Sequence, residues 1–190
     1  AVALAECGAI DPPTAARLLD GLAQLDAIPA EDFPWDAGRG DAFNSREAEL
    51  TRRVGPAAAG WLSAGRPRRE AFRVAVRLVA RAGAADLHDA LLDLADALAR
   101  LAGRHRDALA ADYTYLQPAQ PTTAGHLLLA YAYPALRDAQ RMRRVHAELG
   151  RSVAGAGGSA GSRWPVDRDR LAALLGCDGL VLHAKDAAWQ

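Results

Sequence analysis

The stretch LHDALLDLADALARL, residues 87–101, decides the fold class of this chain. Its leucines alternate four and three residues apart, at Leu87, Leu91, Leu94, Leu98 and Leu101. This spacing places them along one side of an α-helix, as a heptad-like seam typical of helices that pack in a long bundle. We therefore predict an all-α protein organised as a long-helix bundle.

Capping residues and helix breakers divide the rest of the chain into further helices. Alternating runs of β-branched residues are nearly absent, so strand signals are scarce. Pro118 and Pro121 are expected to bracket a turn, and Pro134 is expected to kink the helix that contains it. The predicted helices run from Asp11 to Pro29, from Asp41 to Val54, through Phe72 to a boundary at Gly83, along the leucine seam to Asp112, from Thr122 or Thr123 to Leu149, from Asp167 to Gly176, and onward from about His183.

Composition excludes several classes of protein. Basic and acidic residues number 23 each, so the chain lacks the excess of basic charge that marks nucleic-acid binders. No apolar run reaches the ~20 residues that a membrane span requires, and no secretory signal pattern is present. Cys7 and Cys177 are far apart and suggest reduced thiols rather than a zinc site. We expect a soluble cytoplasmic protein with no nucleic-acid or membrane partner.

Two segments indicate contacts beyond a simple helix pair. Residues 127–133 are apolar on nearly every side of their helix, which predicts burial against other helices or other subunits. The glycine-dense residues 155–161 lack the Gly-Lys-Ser/Thr ending of a phosphate loop. Their glycines either allow close approach of backbone to backbone or line a pocket for a small anion.

The stretch YTYLQPAQPTT, residues 113–123, resembles the argininosuccinate lyase signature Tyr-Thr-His-Leu-Gln-x-Ala-Gln-Pro. Residues 164–168 resemble the Pro-x-Asp-Arg motif that follows the family's glycine-rich segment. Residues 62–68 resemble part of its Leu-His-x-x-Arg-Ser-Arg-Asn-Asp-Gln motif. The similarity extends over nearly the whole chain, and the segment from Thr114 to Pro121 is its most specific part.

The resemblance implies a fold of the aspartase/fumarase superfamily. Residues 1–83 would form the N-terminal helical domain, and residues 84–190 the first part of the central helical bundle. The family assembles as a homotetramer with a twenty-helix bundle, and three subunits build each active site. We accordingly expect a homotetramer that acts in amino-acid metabolism on a small carboxylate substrate, with neither cofactor nor metal.

The resemblance also implies a reaction, the β-elimination of an amine from a succinyl group with release of fumarate. The aci-carboxylate intermediate needs fixed hydrogen-bond donors where negative charge develops. Candidate substrate-binding residues, carried over from the family motifs, are Arg66, Arg68, Arg69, Thr114 and Gln117. Tyr115, which replaces the motif histidine, is the candidate catalytic residue.

Several family residues are replaced in this sequence. Arg69, Glu70 and Ala71 stand where the motif has Asn-Asp-Gln, and Phe43 and Ser63 stand where it has histidines. The family's serine loop, Ser-Ser-x-Met-Pro-x-Lys, does not occur among these residues. Three interpretations follow: a carbon–nitrogen lyase for a different succinyl-type substrate, a true argininosuccinate lyase, or a non-catalytic homologue that scaffolds or regulates a partner.

Overall fold

The computed structural model describes residues 1–189, and most of them lie in α-helices. This confirms the predicted helical class. The helices are α1 (Val2–Glu6), α2 (Pro12–Asp26), α3 (Ala42–Val54), α4 (Pro56–Ala59), α5 (Arg68–Arg104), α6 (Ala124–Leu149), α7 (Arg168–Leu174) and α8 (Ala184–Ala187). The strands are β1 (Leu109–Thr114), β2 (Gln117–Thr123), β3 (Arg151–Ser152) and β4 (Gly179–Leu180), and 3₁₀ turns lie at Ala37–Arg39 and Gly60–Ser63.

Side-chain caps begin five of the helices at the residues that the sequence indicated. A capping side chain accepts a hydrogen bond from an otherwise unpaired backbone N–H of the first helical turn. The Asp11 carboxylate accepts from the Thr14 N–H at 2.9 Å, and the Thr123 hydroxyl accepts from the His126 N–H at 3.2 Å. The full set of these caps is Asp11, Asp41, Thr123, Asp167 and His183.

Helix α5 is a single helix of 37 residues, so the predicted boundary at Gly83 is wrong. A glycine inside a helix costs only about 1 kcal/mol relative to alanine. A side-chain carbon placed at Gly83 would meet nothing within 4 Å, so no neighbouring element interrupts the helix there. The helix therefore continues through this position.

An antiparallel β-hairpin connects α5 to α6, where the sequence predicts a helix to Asp112 and then a turn. Helix α5 ends at Arg104, so the predicted helix end at Asp112 is wrong. Strands β1 and β2 pair from Leu109 with Thr123 to Thr114 with Gln117. The chain reverses at Tyr115 and Leu116, so the turn predicted between Pro118 and Pro121 is wrong. Both prolines lie within β2. A two-stranded sheet consists of edge strands alone, and an edge strand tolerates proline at positions where no ladder N–H is needed.

The described chain divides into two compact units, residues 1–75 with 151–189 and residues 76–150. In the first unit, α2 and α3 pack around Leu18 and Leu50, which are fully buried. A side-chain carbon at Gly21 would lie 2.3 Å from Val54 Cγ1, so this glycine allows the two helices to approach closely. The domain boundary predicted after residue 83 follows the family's domains rather than these units, and it stays a prediction.

In the second unit, the apolar side chains buried on α5 and α6 are all alanines among the described residues. Ala95 and Ala102 on α5 and Ala132, Ala135 and Ala139 on α6 are 1–5% exposed. The leucine seam is less covered, with Leu87 and Leu94 about half exposed.

Helix α6 continues through Pro134, and the kink expected there stays a prediction. Tyr131 and Tyr133 on this helix are 71% and 60% exposed. Within residues 1–189, no helix combines the length and the apolar character needed to cross a membrane.

Candidate active site

The tip of the hairpin presents three of the predicted site residues side by side. Thr114 pairs with Gln117 at the end of the ladder, and Tyr115 occupies the first position of the two-residue turn. All three side chains are exposed, and Tyr115 is 99% exposed. The hydroxyl, phenol and amide are therefore free to meet a ligand at this tip.

The turn has an unusual backbone. Tyr115 and Leu116 have φ angles of 51° and 62°, in the left-handed region that glycine favours. Tight hairpin turns of the I′ type require positive φ at both central residues. A non-glycine residue in this region costs roughly 1–2 kcal/mol, and such strain is often found at functional sites. Strain of this kind is typical of a turn whose side chains are needed for a purpose other than backbone stability.

The stem of the hairpin is held by the helices on either side. The Ala124 N–H donates to the Ala108 carbonyl at 2.9 Å, and the Gly125 N–H donates to the His105 carbonyl at 3.0 Å. A side-chain carbon at Gly125 would lie 2.6 Å from the Ala102 carbonyl oxygen. The first turn of α6 thus packs directly on the last turn of α5, and this contact fixes the base of the hairpin.

The predicted arginines lie together in the first unit, at the start of α5. Arg68 forms an ion pair with Asp41 at 2.8 Å and donates to the Asn44 side-chain oxygen at 3.4 Å. The Arg69 side chain is exposed and makes no hydrogen bond or ion pair with any residue among 1–189. Of these two arginines, Arg68 is in an ion pair and Arg69 is not, within the described residues.

Arg66 is half-buried. Its Nε is enclosed and lacks a hydrogen-bond partner within the described part of the chain. Burial lowers the pKa of the Arg66 guanidinium, while the negative charges of Glu70 and Glu47 oppose this effect. Because arginine stays protonated in proteins, Arg66 is a positive charge held close to two carboxylates.

Glu70 was not predicted as a site residue, although the structure gives it a central position. Its side chain is 5% exposed, and its two carboxylate oxygens accept hydrogen bonds from the Gly155 N–H at 2.8 Å and the Gly157 N–H at 2.7 Å. Two glycines of the glycine-dense segment thus donate to a carboxylate of the protein itself, and a pocket for a small anion there stays a prediction. The only sequence signal was an acidic residue next to the arginines, with no indication of its distant partner.

The Pro-x-Asp-Arg motif supports the same segment from the other side. The Asp167 carboxylate caps α7 by accepting from the Asp169 and Arg170 N–H groups at 2.9 and 3.1 Å. The Arg168 guanidinium donates to the carbonyls of Ala154 at 3.1 Å and Val181 at 2.9 Å. These contacts order the loop structure around residues 153–168.

The structure therefore brings the candidate residues together in two sets. Thr114, Tyr115 and Gln117 share the hairpin tip in one unit, and the three arginines share the start of α5 in the other. Among residues 1–189, no group of three or more histidine, cysteine or acidic side chains is arranged to hold a metal ion.

Comparisons with known proteins agree with this architecture. A family model described as "Lyase" matches residues 1–188. The argininosuccinate lyase of Polynucleobacter asymbioticus is 37% identical over 173 residues, which cover 90% of this chain and 36% of that protein. The chain thus spans little more than a third of this relative.

Two solved structures have the same fold at sequence identities above 30%. EDDS lyase in complex with formate superposes with a TM-score of 0.88 at 33% identity, covering 98% of this chain and 36% of that one. A variant of EDDS lyase with bound fumarate gives a TM-score of 0.86 at 31% identity, with the same coverage. The chain therefore belongs to the lyase family that includes the argininosuccinate lyases, within the aspartase/fumarase superfamily.

Proposed function

We propose that the full-length protein containing this chain is a carbon–nitrogen lyase that releases fumarate, or a related product, from a succinyl-type substrate. The observation that carries the proposal is the presentation of Thr114, Tyr115 and Gln117 at a strained, fully accessible hairpin tip in a member of this family. Relatives that cleave argininosuccinate or EDDS, one of them with bound fumarate, support the reaction class.

The elimination places defined demands on the site. A base removes a proton from the carbon next to a carboxylate, and the electron pair forms the new double bond as the carbon–nitrogen bond breaks. The departing nitrogen then takes up a proton. Negative charge accumulates on the carboxylate in the intermediate, so donors fixed around its oxygens lower the barrier. Thr114 and Gln117 supply neutral donors of this kind, and Tyr115 offers a phenolic proton.

The arginines supply the charge that a dianionic substrate needs. Arg66 and Arg68 have carboxylates nearby within the chain, whereas Arg69 has none in contact. A planar guanidinium binds a carboxylate through two parallel hydrogen bonds and carries a positive charge, whereas an asparagine side chain is neutral. We therefore infer that Arg69 gives the protein a preference for substrates that carry a further carboxylate besides those of the succinyl group.

The oligomeric state belongs to the same proposal. Val79 on α5 is 74% exposed and Tyr131 on α6 is 71% exposed, and Leu87 and Leu94 of the seam on α5 are about half exposed. Large exposed apolar surfaces on long helices mark contact sites with other chains. These surfaces support a homotetramer, which sedimentation equilibrium of the full-length protein would test. The cytoplasmic location stays a prediction from the sequence.

The deciding experiment measures fumarate release by the full-length protein from N-substituted aspartates, followed by absorbance of the fumarate double bond. Replacing Thr114 by valine keeps its shape and removes its hydroxyl, and we expect a loss of roughly 5- to 150-fold in kcat/KM. A polypeptide of residues 1–190 alone should release no fumarate, because the family's serine loop does not occur in it. Unchanged turnover in folded Thr114→Val would show that the motif marks the fold and not the site.

The replacement of the motif histidine by Tyr115 favours one alternative, a non-catalytic homologue that scaffolds or regulates a partner. The two functions differ in a single measurement on the full-length protein. A lyase releases fumarate from at least one N-substituted aspartate, and Tyr115→His should shift its preference toward argininosuccinate. A scaffold shows no turnover with or without this replacement.

A further inference from the structure

The arginine segment, residues 65–70, and the glycine-rich segment, residues 155–164, approach each other at three points within the first unit. The Glu70 carboxylate accepts the two glycine N–H hydrogen bonds described above. A side-chain carbon at Gly65 would lie 2.2 Å from the Trp164 ring, so backbone and indole are in direct contact. A carbon at Gly158 would lie 3.7 Å from Pro67 Cγ. Residues 65–70 thus approach residues 155–164 at these three points.

Glu70 is the polar anchor among these contacts. A buried carboxylate is costly unless hydrogen bonds replace its lost water, and here two backbone donors do so. Both donors belong to glycines with positive φ, 74° at Gly155 and 71° at Gly157. This backbone conformation turns both N–H groups toward the same carboxylate, an arrangement typical of anion-binding loops.

The anchor lies within one helical turn of the arginines. The Glu70 N–H donates to the Pro67 carbonyl at 3.0 Å, and the Arg66 N–H donates to the Ser63 carbonyl at 3.3 Å. The same Glu70 charge acts on Arg66. A shift of Glu70 relative to the loop would therefore move the backbone from which the arginine side chains extend.

We propose that Glu70 is a positioning residue: by anchoring the first turn of α5 to Gly155 and Gly157, it sets where Arg66, Arg68 and Arg69 present their charges to a substrate carboxylate. This inference rests on the proposed function for its ligand. In this proposal Glu70 acts through the arginines and not on the substrate, because its side chain is 5% exposed and both of its oxygens accept hydrogen bonds from the loop. Its effect should therefore appear in carboxylate affinity more than in the rate of the chemical step.

The test compares three variants of the full-length protein. Glu70→Gln leaves one acceptor oxygen and turns an NH₂ group toward a backbone N–H. Glu70→Asp keeps the charge and shortens the reach. Glu49→Gln is the matched control, because Glu49 is also a buried glutamate of this unit, at 9% exposed, but it pairs with Arg52 and Arg53 and not with the loop.

Three quantities are measured on each variant: hydrogen–deuterium exchange of peptides that cover residues 63–71 and 153–160, the dissociation constant of fumarate, and kcat at saturating substrate. We expect Glu70→Gln to accelerate exchange in both peptides and to weaken fumarate binding by roughly 5- to 50-fold, with kcat at saturating substrate changed far less. Glu70→Asp should restore part of both losses. Glu49→Gln should leave fumarate affinity as in wild type, and it should accelerate exchange in these two peptides no more than in the rest of the unit.

The outcomes separate the two proposals. Wild-type protein that neither binds fumarate nor turns over a substrate refutes the proposed function, while exchange in the two peptides still tests the anchor. Fumarate binding that stays unchanged when exchange accelerates, or that weakens equally in Glu49→Gln, overturns the positioning role. If Glu70→Gln does not fold, Glu70→Asp decides alone: faster exchange together with weaker fumarate binding supports the role, and any other combination overturns it.

Discussion

Glu49 allows a pH-dependent test of how the first unit is stabilised. Its carboxylate accepts hydrogen bonds from Arg52 at 2.6 and 2.8 Å and from Arg53 at 2.8 Å. The hydrogen bond from Arg52 is the largest of the effects that lower the pKa of Glu49 from 4.5 to about 2, while burial opposes them. A carboxyl group with a depressed pKa stabilises the folded state fully above its unfolded-state pKa, and this stabilisation is lost as the pH falls toward its folded-state pKa.

The magnitude follows from this pKa and from the exposure of the partner. One pH unit of pKa change corresponds to about 1.4 kcal/mol, so the change from 4.5 to about 2 would contribute about 3 kcal/mol without screening. The Arg52 side chain is 67% exposed, and solvent screening reduces the contribution to roughly 1–2 kcal/mol. By linkage, about a quarter of it is lost by about pH 4 and about three fifths by about pH 3.

The measurement is urea unfolding of wild type and Glu49→Gln at about pH 7, 4 and 3. The free energy of unfolding of the variant should be lower by roughly 1–2 kcal/mol at neutral pH, and the difference should shrink as the pH falls. Glu31→Gln is the control, because Glu31 is exposed and makes no hydrogen bond or ion pair with a described residue. A difference that is the same at all three pH values would refute the assignment of this stabilisation to the Glu49 carboxylate.

Three further predictions concern packing and backbone. Leu18→Ala should lower the free energy of unfolding by about 3–5 kcal/mol, because Leu18 is 0% exposed. Leu18→Met, which roughly keeps the volume, should cost less than about 1.5 kcal/mol. A loss below about 1 kcal/mol for Leu18→Ala in chemical denaturation would contradict the burial of Leu18. Gly125→Ala should lower the thermal unfolding temperature, at a cost of about 1–3 kcal/mol, because its new side-chain carbon clashes with the Ala102 carbonyl. The control Gly83→Ala meets nothing within 4 Å and should be neutral or stabilising. If Gly83→Ala were the more destabilising of the two, α5 and α6 would not meet at Gly125. Leu116→Gly should stabilise the hairpin by roughly 0.5–1 kcal/mol because it removes strain at φ 62°, as calorimetry would show, and a destabilised variant would mean that this backbone is not strained.

Local signals in the sequence located the helix starts well. The caps at Asp11, Asp41 and Thr123 act within three residues, so a short window contains all the necessary information. The boundary at Gly83 failed because the persistence of a 37-residue helix outweighs one unfavourable residue. The hairpin was missed because neither strand shows alternation, and its turn contains Tyr115 and Leu116 in place of the glycine or asparagine that usually signals one.

The candidate site was only partly readable for the same reason. The motif from Thr114 to Pro121 is contiguous, so resemblance alone could single out its residues. The role of Glu70 depends on partners 85 and 87 residues away, and no pattern within the chain links these positions. Pairing across such distances is fixed by the tertiary fold, so it becomes visible only in three dimensions.

The exposure of the hairpin tip also bears on how this protein could acquire new chemistry. Most substitutions are constrained by the neighbours that a side chain contacts, yet Tyr115 at 99% exposed and Leu116 at 91% exposed contact almost nothing within the chain. Exchange of the residue at position 115 therefore alters the chemical group at the tip without disturbing a packed interior. Side-chain replacements at position 115 are decoupled from the packing of the core, so different functional groups can occupy this position on an unchanged scaffold. Histidine and tyrosine are then two alternative residues that the same exposed position accommodates.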